Sequence, residues 1–358
     1  MAQFDLIVIG GGPAGATVAA FCAQRGLAVA LFEQKHFPRH KVCGDVLNPN
    51  VWPTLERLRV TGPIHALPHH VITGALFTTS NGAALDIPLR ARAIRRSLFD
   101  AALLQHARDC GVMIFEGEAA RATSTPREVE TRNGRHSSRL GLIAADGRHS
   151  LFARRTVTGR GPITLQAHFH APATLDDRVQ LHLFPGGYCG LVRIDGGCVN
   201  LCIVTDRDGA RLHDNCEALF ARTVWRNRHF RELGITPEPL EAFQSVHPLV
   251  TPTNVPCEDG LWRVGDALRA TEPFTGQGIF FALRTAELAA ESLLTGREYS
   301  AAVRHLYRQR SRTNQLLRRL LYRERAARMA VSALQRWPSA TRWLADNVVE
   351  AVESRHDE

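Results

Sequence analysis

The sequence predicts an α/β fold, a Rossmann-like dinucleotide-binding unit joined to an α+β subdomain built on an antiparallel sheet. Three observations carry this expectation. Residues 4–9 are an apolar run feeding Gly10-Gly11-Gly12-Pro13-Ala14-Gly15, a helix-like stretch follows, and residues 28–33 form a second apolar run closed by Glu33. From about residue 160 the hydrophobic period changes to two. Residues 260–267 read as a strand ending in Gly265-Asp266, after which Pro273 to Gly278 open an apolar helix at 279–294.

In the first unit an apolar strand enters a glycine turn that opens a helix, so backbone N–H groups and the positive helix end converge where a pyrophosphate can sit. Gly10 makes the turn, Gly12 lets phosphate approach, and Gly15 lets helix pack on strand. Glu33, about twenty residues on, stands where a carboxylate accepts hydrogen bonds from an adenosine ribose. The basic, proline-containing stretch 34–49 reads as a loop beside the bound dinucleotide, and it contains Lys41-Val42-Cys43-Gly44. Residues 71–77 and 83–89 read as strands around the Asn81-Gly82 hairpin signal, and 97–110 as a helix ended by Gly111. Residues 142–150 read as a strand ending in Asp146-Gly147 and leading to Arg154-Arg155.

In the second unit Ile163, Leu165, Ala167 and Phe169 alternate with polar residues, as do Val179, Leu181 and Leu183. Gln166, His168, His170, Gln180 and His182 are therefore expected on one polar face, turned to water or, alternatively, lining a ligand cavity. Residues 210–233 read as helical.

Length and composition fit a globular chain: 358 residues, 44% of them hydrophobic. There is no run of about eighteen apolar residues and no basic leader, so the expectation is a cytoplasmic protein. Eight cysteines without metal-type CxxC pairs read as free thiols, with no metal site. The net charge of +9 is concentrated: residues 304–342 hold eleven arginines against Glu324 alone, with Leu316, Leu317, Leu320, Leu321, Trp337 and Trp343 in the same stretch. That pattern suits a solvated cationic face or docking to an anionic membrane or an acidic partner protein; nothing else suggests nucleic-acid readout.

With these three motifs in this order, the chain resembles the class A flavoprotein monooxygenase and geranylgeranyl reductase superfamily, which has the para-hydroxybenzoate hydroxylase fold. The resemblance implies an FAD-binding domain from residues 1–70, 90–157 and 257–300. A substrate domain would comprise 71–89 and 158–256, followed by a helical arginine-rich segment at 301–358. It implies that Gly10, Gly12 and Gly15, with Pro13 and Ala14, hold the FAD pyrophosphate, that Glu33 holds the adenosine ribose, and that Arg96 and the Lys41, Cys43 and Gly44 loop contact the cofactor. Asp146 would brace the pyrophosphate region, Asp266 bind the ribityl chain, and Gly276, Gln277 and Gly278 present amides to the flavin pyrimidine. Lys-x-Cys-Gly belongs to the reductase branch, and Cys43 and Tyr188 are the catalytic candidates. The segment after Pro185-Gly186-Gly187-Tyr188 departs from that branch, with Gly190 where a tryptophan stands and Val192-Arg193 in place of Phe-Pro. No Trp-x-Trp occurs and no lysine follows Lys41, which speaks against the halogenase branch.

The leading expectation is an FAD monooxygenase acting on a hydrophobic aromatic or polyketide-like compound. Reduction of an isoprenoid or other alkene comes second, and a flavin electron-transfer or assembly protein docking on a membrane or partner third. With no second GxGxxG, NAD(P)H would visit transiently as reductant, or a partner would deliver electrons.

Overall fold

The computed structural model describes residues 2–125, 127–152, 162–195, 197–205, 215–272, 274, 276–308, 323–337 and 339, and arranges them on two eight-stranded sheets. In chain order the first part supplies β1 (Ala2–Ile9), α1 (Pro13–Ala23), β2 (Val29–Glu33), β3 (His70–Thr78), β4 (Ala84–Ala93), α2 (Arg96–Asp109), β5 (Met113–Glu116) and β6 (Gly134–Ala144). The second part supplies β7 (Ile163–His170), β8 (Arg178–Phe184), β9 (Gly187–Asp195), β10 (Cys198–Thr205), β11 (Gln244–Val246), β12 (Leu261–Arg263), α3 (Gly278–Thr295) and α4 (Glu324–Arg336).

The first sheet runs β12-β6-β1-β2-β5, each neighbour parallel. Its strands are apolar on both faces because both faces are covered. Leu6 and Val8 of β1 pack among α1, α2 and α3, while Ile7 and Ile9 pack with Phe32, Leu142 and Phe152. Small side chains let α1 lie close between sheet and helices, and nearly all of it is buried. One expected element is corrected. The run at 260–267 stops being a strand at Arg263, because Gly265 takes φ +56 and opens a short helix, Gly265–Arg269. Asp266 therefore sits in a helix's first turn rather than on a strand.

The second sheet runs β11-β7-β10-β9-β8-β3-β4 and ends on the short strand Val46–Leu47. It is antiparallel except where β8 runs parallel to β3, so the expected antiparallel sheet is mixed at that junction. The Asn81-Gly82 turn joins β3 to β4, with Gly82 at φ +91. Residues 215–233 form short helices, Cys216–Arg222 and Arg228–Glu232, that cover one face of this sheet; residues 210–214 lie outside the described ones.

The expected single polar face divides into two, and apart from His170 neither half turns to water. Register pairs His168 with Asn200 and Gln166 with Cys202, which stands opposite Gly190, which stands opposite Leu181. Gln180 and His182 stand opposite Leu191 and Cys189 and so point to the other face, toward the helices. Gln166, His168, Gln180 and His182 are all buried, and only His170 is exposed.

All eight cysteines are free; Cys22, Cys189 and Cys198 are buried and the others half-buried. Helix α4 lies against β4 with Ala327 and Val331 inward and Met329 outward. Leu316, Leu317, Leu320, Leu321, Trp343, Arg154, Arg155 and Pro273 fall outside the described residues. Among those described, no helix is long and apolar enough to cross a membrane.

Candidate active site

The turn after β1 is shaped by two close approaches. Gly10 has φ +102, and a Cβ there would lie 2.5 Å from the Ala145 carbonyl oxygen; one at Gly15 would lie 1.8 Å from the Gly10 oxygen. No side chain can be added at either position without moving backbone. Gly12 is different: it is the N-cap of α1, no side chain caps that end, and a Cβ would meet only the Arg39 guanidinium, at 3.2 Å. Pro13 and Ala14 complete the first turn, which carries no acidic residue. At the end of β2, buried Glu33 accepts hydrogen bonds from the Gly11 amide (2.8 Å) and the Lys35 amide (2.9 Å).

After β2 the chain runs as the expected loop, with Gln34, Lys35, His36, Pro38 and His40 exposed and Arg39 and Lys41 turned partly inward. Arg39 reaches back to Glu33 (3.9 Å) and across to Asp100 of α2 (3.6 Å). Lys41 stands 3.3 Å from where a Gly147 Cβ would be and faces Asp266. Burial, with Arg96, Arg148 and Arg39 nearby, holds its ammonium below the usual lysine range despite Asp266. Cys43 follows, its carbonyl accepting hydrogen bonds from Asn200 Nδ2 (2.7 Å) and the Cys202 thiol (3.3 Å) on β10. Gly44 is exposed with open space around it. Asn48 then donates to the Gly276 carbonyl (3.0 Å). Residues 39–48 thus link the glycine turn, the carboxylate of Asp266, the second sheet and the turn before α3.

Arg96 opens α2 and is fixed by a two-pronged pair with Asp100, at 2.7 and 2.8 Å. Burial opposes its charge, but Asp100 outweighs burial and holds the guanidinium charged. The same guanidinium lies against the Cys43 thiol, whose pKa burial nonetheless pushes up, so Cys43 is a protonated thiol. Asp146 follows β6 at the back of the Gly10 turn. One oxygen accepts from the Leu151 amide (2.8 Å), the other is buried with no partner, and burial raises its pKa. Asp266 is paired with Arg148 (3.3 Å), whose other amino group donates to the carbonyls of Pro248 and Leu249. Before α3, Gly276 has φ +62, and a Cβ added there or at Gly278 would meet nothing within 4 Å; Gln277 between them is buried.

The sheet face toward Cys43 carries His168, Gln166, Asn200, Cys202, Gly190 and Tyr188. Tyr188 is buried, donates to Glu272 (3.0 Å) and packs edge-on against Phe274 (5.7 Å), which packs on Phe77 (5.5 Å). It stands two residues before Gly190 on β9, and Gly190 stands opposite Cys202, whose thiol donates to the Cys43 carbonyl. A Cβ at Gly190 would meet nothing within 4 Å.

The structure therefore brings the expected residues together and adds others that sequence reading missed. Arg39 and Arg148 reach through long side chains whose placement depends on packing, while Asp100 closes the Arg-x-x-Phe-Asp pattern that marks Arg96. Asp45 and Asn48 lay within a recognised loop but had no chemical signal of their own. Asn200 and Glu241 were invisible without register.

The uncapped helix end, the open positions at Gly12, Gly276 and Gly278, the cations Arg39 and Lys41 and the carboxylates Glu33 and Asp266 fit a bound dinucleotide flavin. Residues 3–174 match the family described as FAD binding domain. The chain is 25% identical over 330 residues to a menaquinone reductase of Mycolicibacterium smegmatis, covering 83% of this chain and 78% of that one. It is 24% identical over 346 residues to a 1H-pyrrole-2-carbonyl-[peptidyl-carrier protein] chlorinase of Pseudomonas fluorescens, covering 82% and 76%. A flavoprotein/dehydrogenase from Cytophaga hutchinsonii has the same fold, with a TM-score of 0.84 at 18% identity over 98% of this chain and 93% of that one.

Proposed function

We propose that this chain, whose residues 3–174 match the FAD binding domain family, is an FAD-dependent oxidoreductase that reduces a carbon–carbon double bond of an apolar, prenyl-type substrate. The observation that carries this reading is Cys43: its thiol lies beside the Arg96 guanidinium and accepts from the Asp45 amide (3.4 Å), while its backbone carbonyl is fixed by Asn200 and Cys202 of β10. Reduction adds a hydride to one carbon and a proton to its neighbour. Bound FAD, once reduced, supplies the hydride. The protein's own residues do the rest: Gly12 and the first turn of α1 face the pyrophosphate, Glu33 the ribose and Asp266 the ribityl hydroxyls. The Cys43 thiol gives up its proton on the substrate side, and the Arg96 charge beside it stabilises the thiolate left behind.

Leu181, Leu183, Tyr188, Leu249, Phe77 and Phe274 offer an apolar wall, and the missing side chain at Gly190 leaves room beside it. This favours reduction over the monooxygenation that the sequence first suggests, since oxygenation gives a protonated thiol beside Arg96 no task. A chlorinase relative does not move the reading, since no lysine follows Lys41. The arginine-rich stretch supports substrate delivery from an anionic membrane surface: Arg325, Met329, Arg336 and Trp337 are exposed on or beside α4. Co-sedimentation with anionic vesicles that fades as salt shortens the Debye length from about 10 Å to about 3 Å is the check; no binding at any salt removes the membrane from the account.

The test of the reaction is anaerobic: chemically reduced holoprotein is mixed with a prenyl alkene and the product weighed by mass spectrometry. A product heavier by two hydrogens per double bond supports reduction. A product heavier by one oxygen atom, formed only in air, overturns it.

A further inference from the structure

Behind the Cys43 loop stands a column of charge that the reaction as described does not use. Asp45 is buried, has φ +57, and is tied down at every polar atom of its acid group. Its Oδ1 accepts from the Arg96 amide (2.9 Å), and its Oδ2 accepts from Asn200 Nδ2 (2.6 Å) and faces His168 Nε2 at 3.4 Å. The left-handed backbone at a non-glycine residue persists only where its surroundings hold it. Asn200 divides its two N–H groups between this carboxylate and the Cys43 carbonyl, so whatever fixes Asp45 also fixes Cys43.

His168 on β7 is almost fully buried, and each of its ring nitrogens faces a carboxylate. Nδ1 bonds Glu241, which also accepts from the His168 amide (3.2 Å), and Nε2 faces Asp45. A neutral imidazole has one N–H and one lone pair, so it would turn a lone pair toward one of the carboxylates. Only the doubly protonated ring satisfies both. Glu241 is the solvent end of the column, its side chain one-third exposed.

We propose that His168, held as an imidazolium between Glu241 and Asp45, is the positioning residue that keeps the Cys43 loop closed on the cofactor side of the substrate sheet. The inference deepens the reading of Cys43 as proton donor, yet it concerns the placement of the thiol, whichever reaction the thiol serves. Burial works against the ring's charge, but Asp45 first and Glu241 with it outweigh burial and raise its proton affinity. The charged groups facing the ring are Asp45 from the loop and Glu241 from the segment before β11, with Asn200 the polar neighbour from β10. When the ring loses its proton, a lone pair meets a carboxylate, Asp45 loses its third donor and the loop opens.

Cys43 reports on the loop directly. In the holoprotein, alkylation of Cys43 by neutral iodoacetamide is followed by peptide mass spectrometry from about pH 6 to about pH 9. The wild-type rate should climb more steeply than thiolate formation alone, with an extra step where His168 deprotonates. In His168→Gln the extra step should vanish and Cys43 should react roughly tenfold faster near neutral pH, as expected for one lost charge-assisted hydrogen bond. Glu241→Gln keeps the ring but removes one carboxylate, so the step should move to lower pH; it settles the matter if His168→Gln does not fold. Profiles superimposable on wild type in whichever variants fold would overturn the proposal. Because alkylation needs no substrate, its outcome is independent of whether the enzyme reduces alkenes.

Discussion

The two faces of the second sheet hold the same kind of residue in opposite electrical states. On the cofactor side, His168 sits between two carboxylates and both ring nitrogens must donate. On the helix side, His182 bonds the Thr78 hydroxyl (2.8 Å) and the Gln180 side-chain carbonyl oxygen (3.0 Å) and lies edge-on to Phe230, with no carboxylate bonded to either ring nitrogen. Burial drives its pKa down to about 3, with nearby His229 adding to the effect. Burial alone therefore says little about a histidine. Its partners decide whether it seals a core or holds a charge for chemistry, and here the charge lies on the face that touches Cys43.

The largest effect should come from forcing charge onto the sealed side. His182→Lys places an ammonium among Thr78, Gln180 and Phe230, and should cost about 3 kcal/mol or more of stability in urea unfolding. A loss under about 1 kcal/mol would mean that face is wetter than its packing implies. On the cofactor side, substitutions should show as lost flavin instead of lost fold. Glu33→Ala or Asp266→Ala should weaken FAD roughly ten- to a hundredfold, about 1.5–3 kcal/mol, with little change in the melting of the apoprotein. Titration of apoprotein with FAD reads this, and unchanged affinity in both variants would misplace the cofactor.

The two histidines should also give pH dependences of opposite sign. His182 has a depressed folded-state pKa, so its contribution is present above the unfolded value of about 6.5 and is lost as pH falls from there toward about 3. Wild type should lose about 1 kcal/mol more than His182→Gln between about pH 6 and about pH 5. His168 has a raised folded-state pKa, so its contribution is full below about 6.5 and disappears as pH rises through the raised value. The smallest effect follows: a modest fall in wild-type Tm on the alkaline side that His168→Gln does not share.

How far the sequence revealed this contrast depends on whether backbone or register carries the information. Gly10 and Gly15 were legible because their carbonyl neighbours leave no room for a Cβ, a constraint written in the spacing of three glycines. Glu33 and the Asn81-Gly82 hairpin were legible for the same local reason. The polar strand faces were not. Alternation along β7 and along β8 is plain in the sequence, but the tight Pro185-Gly186 connection pairs Phe184 with Gly187, and the register of β9 and β10 then puts His182 on the face opposite His168. Phase between strands is set by turns and by the irregularity at Arg193 and Asp195, and it cannot be counted along one strand. Asp45, Asn200 and Glu241 come together from a loop, a strand and a segment far apart in the chain, so no spacing announces them.

A protonated Cys43 beside the flavin site would complete the reduction, and this is read by mixing reduced holoprotein with a prenyl alkene under strict anaerobiosis and following the return of oxidised-flavin absorbance. Wild type should reoxidise as the alkene is consumed, and Cys43→Ser should keep its FAD yet reoxidise roughly a hundredfold more slowly, the loss expected of a general acid. Equal rates in both proteins, or no reoxidation until air is admitted, would contradict the claim.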